Sequence, residues 1–271
     1  MAWLFVFAEV WRVNYLPGSA YLTLALAVWA LHVVDRLSTA LSRSAGHGPP
    51  PAAHHQFIVR HGSLFIRLAA VVCIVPVVLA MVSLPISIFG YLIVAVLLVV
   101  GFFLMSRASE PRTRDLDYGK NILGGAAFAY GIAMMAHVFL PAIGKHDLLV
   151  SREFLTFAVL CVVYLCAIDF WEKSANFRHE SAGGTAIAEE EAPGELALML
   201  PLMVLALAAL VFAVSSHHQS VRPFYYAILT GAALLYVLNR SRHRFPAVQL
   251  RLLADGAMLA PALVFHGFPP G

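Results

Sequence analysis

The sequence predicts an all-α polytopic membrane protein, and three observations lead to this prediction: the apolar composition, the continuous apolar runs and the scarcity of charges. Of the 271 residues, 61% are hydrophobic and 12% are charged, and the mean hydropathy is +0.80. A soluble domain has about 45–50% apolar and about 25% charged residues. This composition excludes a soluble enzyme, a disordered chain and a nucleic-acid-binding module. Because the apolar residues form runs and do not alternate with polar ones, a β-barrel is disfavoured.

Nine hydrophobic segments follow one another along the chain. A helix needs about 20 apolar residues to cross a bilayer, and the first segment is shorter than that and contains Glu9 and Arg12. Chain breakers mark the gaps between the segments: Pro17-Gly18, Pro85, Pro141, Pro193-Gly194 and Pro223. The sequence therefore predicts a single domain over 1–271, a nine-helix transmembrane bundle with a central cavity. Its predicted helices are 2–14, 18–42, 63–83, 85–105, 119–140, 151–173, 195–214, 222–239 and 248–266.

Basic residues are distributed unevenly among the loops. Of the 18 Lys and Arg residues, only four lie toward the odd-numbered loops: Arg12, Lys145, Arg152 and Arg222. The others flank the loops after the even-numbered segments, two of which are long polar linkers at 42–56 and 177–195. The positive-inside rule places these even-numbered loops in the cytoplasm. With nine spans, the prediction is an integral protein of a bacterial inner membrane whose N-terminus is cytoplasmic.

Two predicted helices end in polar stripes that have the same spacing, i, i+3, i+7. The stripes are His32, Asp35 and Thr39 in the second helix, and Asp169, Glu172 and Asn176 in the sixth. At about 100° per residue, each stripe covers an arc of about 60° on its helix. Charged groups within a membrane span are costly and are candidates for function. Each stripe precedes a long linker, and the regions 18–140 and 151–266 form a weak internal repeat.

Facing carboxylates at the mouth of a membrane cavity suit a hard divalent cation. Mg²⁺ is usually held by one or two carboxylates together with substrate phosphates, and Asp35, Asp169 and Glu172 are the predicted metal ligands. Basic and polar neighbours would hold the remaining phosphate oxygens. The predicted diphosphate contacts are His32, Arg36, Thr39, Lys120 and Asn176. With an apolar cavity for a lipid-like tail, the stripes predict a site for an isoprenyl diphosphate.

The arrangement resembles the UbiA superfamily of intramembrane prenyltransferases, which have nine helices and Asp-rich motifs at the ends of helices 2 and 6. The family motifs are similar to N-D-x-x-D-x-x-x-D and D-x-x-D-x-x-x-D. This chain has Leu31-His32-x-x-Asp35-x-x-x-Thr39 and Asp169-x-x-Glu172-x-x-x-Asn176. The segment DYGKNILGGAAFAYG at 117–131 also resembles the basic residue and Gly-rich start of helix 5 in that family.

This resemblance implies Mg²⁺-assisted transfer of a prenyl group from its diphosphate to an aromatic or lipid acceptor, through an allylic carbocation. The implied catalytic residues are Asp35, Asp169 and Glu172. The motifs are degenerate, since about three of six carboxylates remain. A non-catalytic lipid-binding or transport protein on the same bundle and a UbiA-type terpene cyclase are the alternatives.

Several of these residues also have purely structural interpretations. Asp35 is able to pair with Arg36, and His32 is able to act as a satisfied buried histidine. Asp255 lies four residues after Arg251, so an ion pair within the ninth predicted helix is expected. The three cysteines all lie in apolar runs and are interpreted as small hydrophobic residues.

Overall fold

The computed structural model is helical in every part of the chain that it describes, namely residues 1–45, 62–108, 118–140, 145–181, 192–216 and 219–267. These ranges contain ten α-helices and no strand. Two 3-10 helices, Gln219–Val221 and Arg242–Arg244, flank α9. The α-helices are α1 (Ala2–Val10), α2 (Gly18–Ala45), α3 (Gly62–Ser83), α4 (Ile88–Ala108), α5 (Tyr118–His137), α6 (Lys145–Val150), α7 (Arg152–Ser181), α8 (Ala192–Ser215), α9 (Arg222–Ser241) and α10 (Ala247–Gly267).

Five helical stretches are long and apolar enough to cross a membrane, among the residues described. They are Ile88–Ser106, Arg152–Ala175, Leu198–Ser215, Gln219–Arg244 and Val248–Gly267. Shorter apolar stretches occur in α2 and α3. The predicted all-α class is therefore confirmed, and the long apolar helices are compatible with an integral membrane protein. The count of nine spans stays a prediction.

The chain divides into two compact units, each with its own packing. The first, Asn14–Phe89 together with Met1, contains α2 packed on α3. The second, Ala2–Val13 and Gly90–Gly271, contains α1, most of α4 and all helices from α5 onward. In this second unit α7 is central, because it packs against α5, α8, α9 and α10.

Helices α5 and α7 approach each other closely at Gly125. A Cβ atom built on Gly125 would lie 2.6 Å from the backbone N and Cα of Val162. Backbone atoms cannot move away as a flexible side chain can, so any larger residue would push the two helices apart. Small residues commonly permit such close approach between membrane helices. This contact lies one helical turn beyond Asn121.

The N-terminal helix α1 is much shorter than the predicted segment 2–14. Its nine residues extend over about 13 Å, less than half of the roughly 30 Å hydrocarbon core of a bilayer. The helix ends because Arg12 takes a left-handed conformation with φ of 55°. A hydrogen bond of 2.8 Å from the Val13 amide to the Ala8 carbonyl closes this end, as in a Schellman motif.

Four buried aromatic rings hold α1 in the second unit, and we call them the aromatic cluster: Trp3, Phe7, Phe157 and Phe224. The Trp3 ring lies 4.5 Å from Phe157 and 6.1 Å from Phe224. Trp3 Nε1 also donates a 2.8 Å hydrogen bond to the Met258 carbonyl of α10. The cluster packs α1 against the first turns of α7 and α9. The short helix is therefore packed among protein side chains, which give so apolar a segment an apolar environment.

Candidate functional site

A group of charged and amide side chains meets near the C-terminal end of the apolar stretch Arg152–Ala175 of α7, and we call it the polar cluster: Asn121, Asp169, Glu172, Lys173 and Arg251. Asn121 of α5 donates a hydrogen bond from Nδ2 to Asp169 Oδ2 at 3.3 Å. Lys173 Nζ lies 3.3 Å from the same oxygen, and both side chains are 24% exposed. Asp169 is thus held by two helices, next to the close approach of α5 and α7.

The second carboxylate of the predicted stripe, Glu172, contacts α10. Its Oε1 lies 3.1 Å from Nη1 of Arg251, and the two side chains are 48% and 45% exposed. Such an exposed ion pair contributes about 0–1 kcal/mol in water. It orients the two groups more than it stabilises the fold, so a ligand is able to displace either partner at low cost.

The ion pair expected between Arg251 and Asp255 was wrong. Arg251 turns to Glu172 of α7, and Asp255 instead accepts a hydrogen bond from the hydroxyl of Tyr164. The physical reason is that α10 packs directly on α7, so cross-helix partners are closer than the i, i+4 neighbour. Sequence spacing within one helix contained no information about this packing.

Next to the polar cluster, α7 makes buried contacts with α9 and with the 3-10 helix that follows it. Trp171 Nε1 donates a 3.0 Å hydrogen bond to Asn239 Oδ1, and both residues are buried. The guanidinium of Arg242, 3% exposed, lies 5.3 Å from the centre of the Phe170 ring. These contacts hold α7 at Phe170 and Trp171, the two residues between Asp169 and Glu172, and therefore fix the direction in which the two carboxylates point.

The structure places the other predicted site residues as follows. Lys120 of α5 lies over the Phe102 ring of α4, 5.7 Å from its centre. His32 of α2 is exposed within the first unit, so its interpretation as a buried histidine does not hold within that unit. The remaining predicted residues lie in α2 and α7, but their side chains are outside the described part of the structure: Asp35, Arg36, Thr39 and Asn176. The two stripes belong to different units, and their convergence stays a prediction.

Sequence reasoning missed three residues of this region: Asn121, Tyr164 and Asn239. Each is a hydrogen-bonding side chain inside a predominantly apolar helix, and this is the signal that would have found them. Asn121 also follows Lys120 directly. All three are uncharged and lie outside the two polar stripes, so neither charge nor stripe spacing marks them.

The chemistry available to the polar cluster follows from its charges. Two carboxylates are balanced by two cations, and an incoming anion competes for Lys173 and Arg251 while a cation competes for Asp169 and Glu172. Among the described residues, no group of three or more His, Cys, Asp and Glu side chains is close enough to hold a metal ion. The fold and cluster define a helical protein with membrane-length helices and a charged site at their end. No family model, curated protein or solved structure matches the chain.

Proposed function

We propose that the protein is a UbiA-like intramembrane prenyltransferase that binds an isoprenyl diphosphate at the polar cluster and transfers its prenyl group to a hydrophobic aromatic or lipid acceptor. The observation that supports this best is Asp169, held by Asn121 and Lys173 at the end of a membrane-length helix. An isoprenyl diphosphate has a charged head and an apolar tail. The polar cluster suits the head, and the apolar surfaces of the helices suit the tail.

The cluster suits a magnesium diphosphate in its residue types. Asp169 and Glu172 lie one turn apart on α7, and Mg²⁺ is usually held by one or two carboxylates plus phosphate oxygens and water. Lys173 and Arg251 would then leave their carboxylates and bind phosphate. Bound Mg²⁺ supplies positive charge that stabilises the departing diphosphate. Asn121 keeps Asp169 in place during this exchange.

In the proposed reaction the allylic C–O bond breaks, and its electron pair leaves with the diphosphate. The acceptor then forms the new bond to the allylic carbon and releases a proton. The apolar walls of the helices exclude water, which would otherwise capture the cation. In a terpene cyclase, which is the variant without an acceptor, an internal alkene of the same chain takes that role.

A non-catalytic lipid-binding or transport protein is the second candidate, and one observation favours it. Asp169 and Glu172 each have a cationic partner, at 3.3 Å and 3.1 Å. The cluster is therefore neutral by itself and does not require a metal. Lys173 and Arg251 would bind an anionic lipid headgroup directly, and no bond of the lipid would break.

We also propose a bacterial inner membrane as the location, with an orientation that α1 modifies. Within the second unit, α1 lies beside the first turns of α7 and α9, the ends opposite the basic loops. The positive-inside rule places those basic loops in the cytoplasm. If α1 does not span, the N-terminus lies on the non-cytoplasmic side, the reverse of the orientation predicted from nine spans.

The central test uses the purified full-length protein in lipid nanodiscs with labelled C10–C20 prenyl diphosphates and Mg²⁺. Diphosphate release is measured together with the binding of a non-cleavable prenyl thiolodiphosphate. We expect Asp169→Asn to lower release by about 100-fold or more, because a carboxylate that would hold the Mg²⁺ of the leaving diphosphate is lost. Glu9→Gln, an exposed carboxylate on α1, is the control and should behave as wild type.

The two candidate functions give different results in this test. Binding of the analogue with release that depends on Asp169 supports the transferase or cyclase. Binding that weakens in an Arg251→Met variant but not in Asp169→Asn, with no release from wild type, supports the non-catalytic candidate, in which the cations alone contact the headgroup. If the wild-type protein neither binds the analogue nor releases diphosphate, both are wrong.

A further inference from the structure

A row of polar side chains continues from the polar cluster along the contact between α7 and α10. We call it the polar seam, and it consists of the pairs Glu172–Arg251 and Tyr164–Asp255. Tyr164 precedes Glu172 by about two helical turns, so the inner pair lies roughly 12 Å deeper along α7. The polar character of this end is therefore not confined to the helix termini.

Asp255 occupies a place where a carboxylate is costly. It lies within the apolar stretch Val248–Gly267, about 10 Å from the start of that stretch at 1.5 Å per residue. Its side chain is exposed within the unit. Carboxylates at such depth face a bundle interior or a water-filled cavity in membrane proteins, because lipid tails offer them no hydrogen bonds. We therefore expect the surface around Asp255 to face a polar environment, whereas the apolar surface beside it faces lipid.

The angular position of Asp255 on α10 shows which face of the helix carries the polar seam. Leu259 lies about 40° to one side of it and Ala262 about 20° to the other, at 100° per residue. Leu259 is 59% exposed and Ala262 is 7% exposed. Asp255 is thus at the border between the exposed and the buried face of α10, on the side from which Tyr164 reaches it.

The charges of the polar cluster and the polar seam do not cancel. Lys173 pairs with Asp169, and Arg251 pairs with Glu172, whereas the partner of Asp255 is a neutral tyrosine. Three carboxylates and two cations leave one negative charge in this group. The Tyr164 hydroxyl contacts Oδ1 of Asp255. Among the residues that the structure describes, none donates a hydrogen bond to Oδ2 of Asp255, which leaves this oxygen open to a donor from a ligand or from water.

We propose that the polar seam lines a water-accessible cavity in which Asp255 and Tyr164 bind the hydroxyl or amino group of a second, membrane-dissolved ligand. The identity of this ligand as the prenyl acceptor rests on the proposed function, whereas the cavity itself does not. A donor head at the polar cluster and an acceptor hydroxyl at Asp255 would lie on one continuous polar wall, with the apolar parts of both molecules beside it.

The first experiment tests the cavity with water-soluble reagents. Cys73, Cys161 and Cys166 are replaced by alanine, and a single cysteine is introduced by Asp255→Cys in the full-length protein in nanodiscs. Gly256→Cys is the matched control, because it lies at the same depth, faces away from the seam and has open space for a Cβ atom. A charged methanethiosulfonate reagent needs water and a thiolate, so we expect labelling at 255 to be at least about tenfold faster than at 256.

Equal, slow labelling at both positions would show that Asp255 is sealed from water, and the cavity would be wrong. Tyr164→Cys repeats the measurement from the opposite wall if the variant at 255 does not fold. It should label faster than the variant at 256 as well, and slow labelling there would also overturn the cavity.

The second experiment tests the ligand chemistry with geranylgeraniol and its methyl ether as probes. A hydroxyl donating to a carboxylate contributes about 1.5–3 kcal/mol, or about 10- to 100-fold in affinity. We expect wild type to prefer the alcohol by that factor and Asp255→Ala to bind both probes equally. Equal binding by wild type would overturn the subsite.

The proposed function is tested separately by the prenyl thiolodiphosphate. If the analogue does not bind, that function fails, while fast labelling at 255 still supports the cavity. If the analogue binds but does not slow labelling at 255, the two ligands do not share a wall, and the acceptor assignment is wrong.

Discussion

The two ends of the second compact unit are held together in different ways. At the end that contains α1, the aromatic cluster packs four rings, none more than 4% exposed, and one indole hydrogen bond. At the opposite end, the polar cluster joins the helices through ion pairs and one amide, with the charged side chains 24% to 48% exposed. The helices running between the two ends are the same.

This difference indicates that one end of the unit contributes most of the stability and that the other end is suited to binding. Buried rings contribute several kcal/mol each, and they have no groups left to offer a ligand. Partly exposed ion pairs contribute about 0–1 kcal/mol, so their partners exchange readily. The aromatic cluster is therefore suited to fixing the helices in place, and the polar cluster is suited to recognising a charged molecule between them.

His137 gives the aromatic end a further anchor. The Trp11 ring meets the His137 ring edge to face at 5.5 Å, and His137 Nδ1 lies 2.7 Å from the Tyr91 hydroxyl. These contacts connect the chain just after α1 with α4 and α5. All groups are buried or half-buried, in contrast to the charged residues at the other end.

The largest predicted effect concerns the side of the membrane on which each end of the unit lies, and the expected difference is all or none. A reporter protein that is active only outside the cytoplasm, fused before Met1, should be active, because in the proposed orientation α1 does not span the membrane and lies opposite the basic loops. The same reporter fused within the linker 177–195 is the control and should be inactive. Activity only in the linker fusion would reverse the orientation proposed for the two ends.

Removing a ring from the aromatic cluster should cost more stability than any change in the polar cluster. We expect Trp3→Ala to lower the free energy of unfolding by about 3–5 kcal/mol, because it leaves a cavity among three helices and removes the hydrogen bond to Met258. Trp3→Phe should cost less. Thermal unfolding in detergent measures both, and a loss below about 1 kcal/mol for Trp3→Ala would mean that α1 is not a core element.

Gly125→Ala tests the close approach that places Asn121 beside Asp169. The added Cβ would meet the backbone of Val162 at 2.6 Å, and overpacking of this kind costs about 1–3 kcal/mol or more. Gly256→Ala is the matched control, since it has open space and should stabilise the helix by about 0.5–1 kcal/mol. Unfolding temperatures that shift in the same direction for both variants would contradict the close contact between Gly125 and Val162.

The smallest stability effect is expected at the Glu172–Arg251 pair. A double-mutant cycle with Glu172→Gln and Arg251→Met should give a coupling energy of about 1 kcal/mol or less. Binding of the prenyl thiolodiphosphate should nevertheless fall about tenfold in each single variant, since each loses a charge-assisted contact. A coupling energy of several kcal/mol, with unchanged binding, would make this pair a structural element like the aromatic cluster.

Hydropathy predicted the helical class, and the spacing of Asp169 and Glu172 predicted that they share one face of α7. Both follow from properties of neighbouring residues, which a helix places at known angles. The partners of these carboxylates were not predictable in the same way. Asn121 and Arg251 are distant in sequence from α7, and only the packing of α5 and α10 against that helix makes them neighbours.

The role of the first segment was also decided by tertiary contacts. The stretch 2–14 has the composition of a membrane segment, but composition does not distinguish a lipid-facing helix from one surrounded by protein side chains. The rings of Phe157 and Phe224, contributed by α7 and α9, provide that protein environment.

The amino-acid sequence by itself determined that the chain is helical and apolar and that α7 ends in a charged stripe, because helix periodicity and transfer free energy depend on local composition. The tertiary structure decided which side chain each charge meets and where α1 lies. Those outcomes depend on distances of a few ångströms between separate helices, and close contacts such as Gly125 with Val162 set such distances.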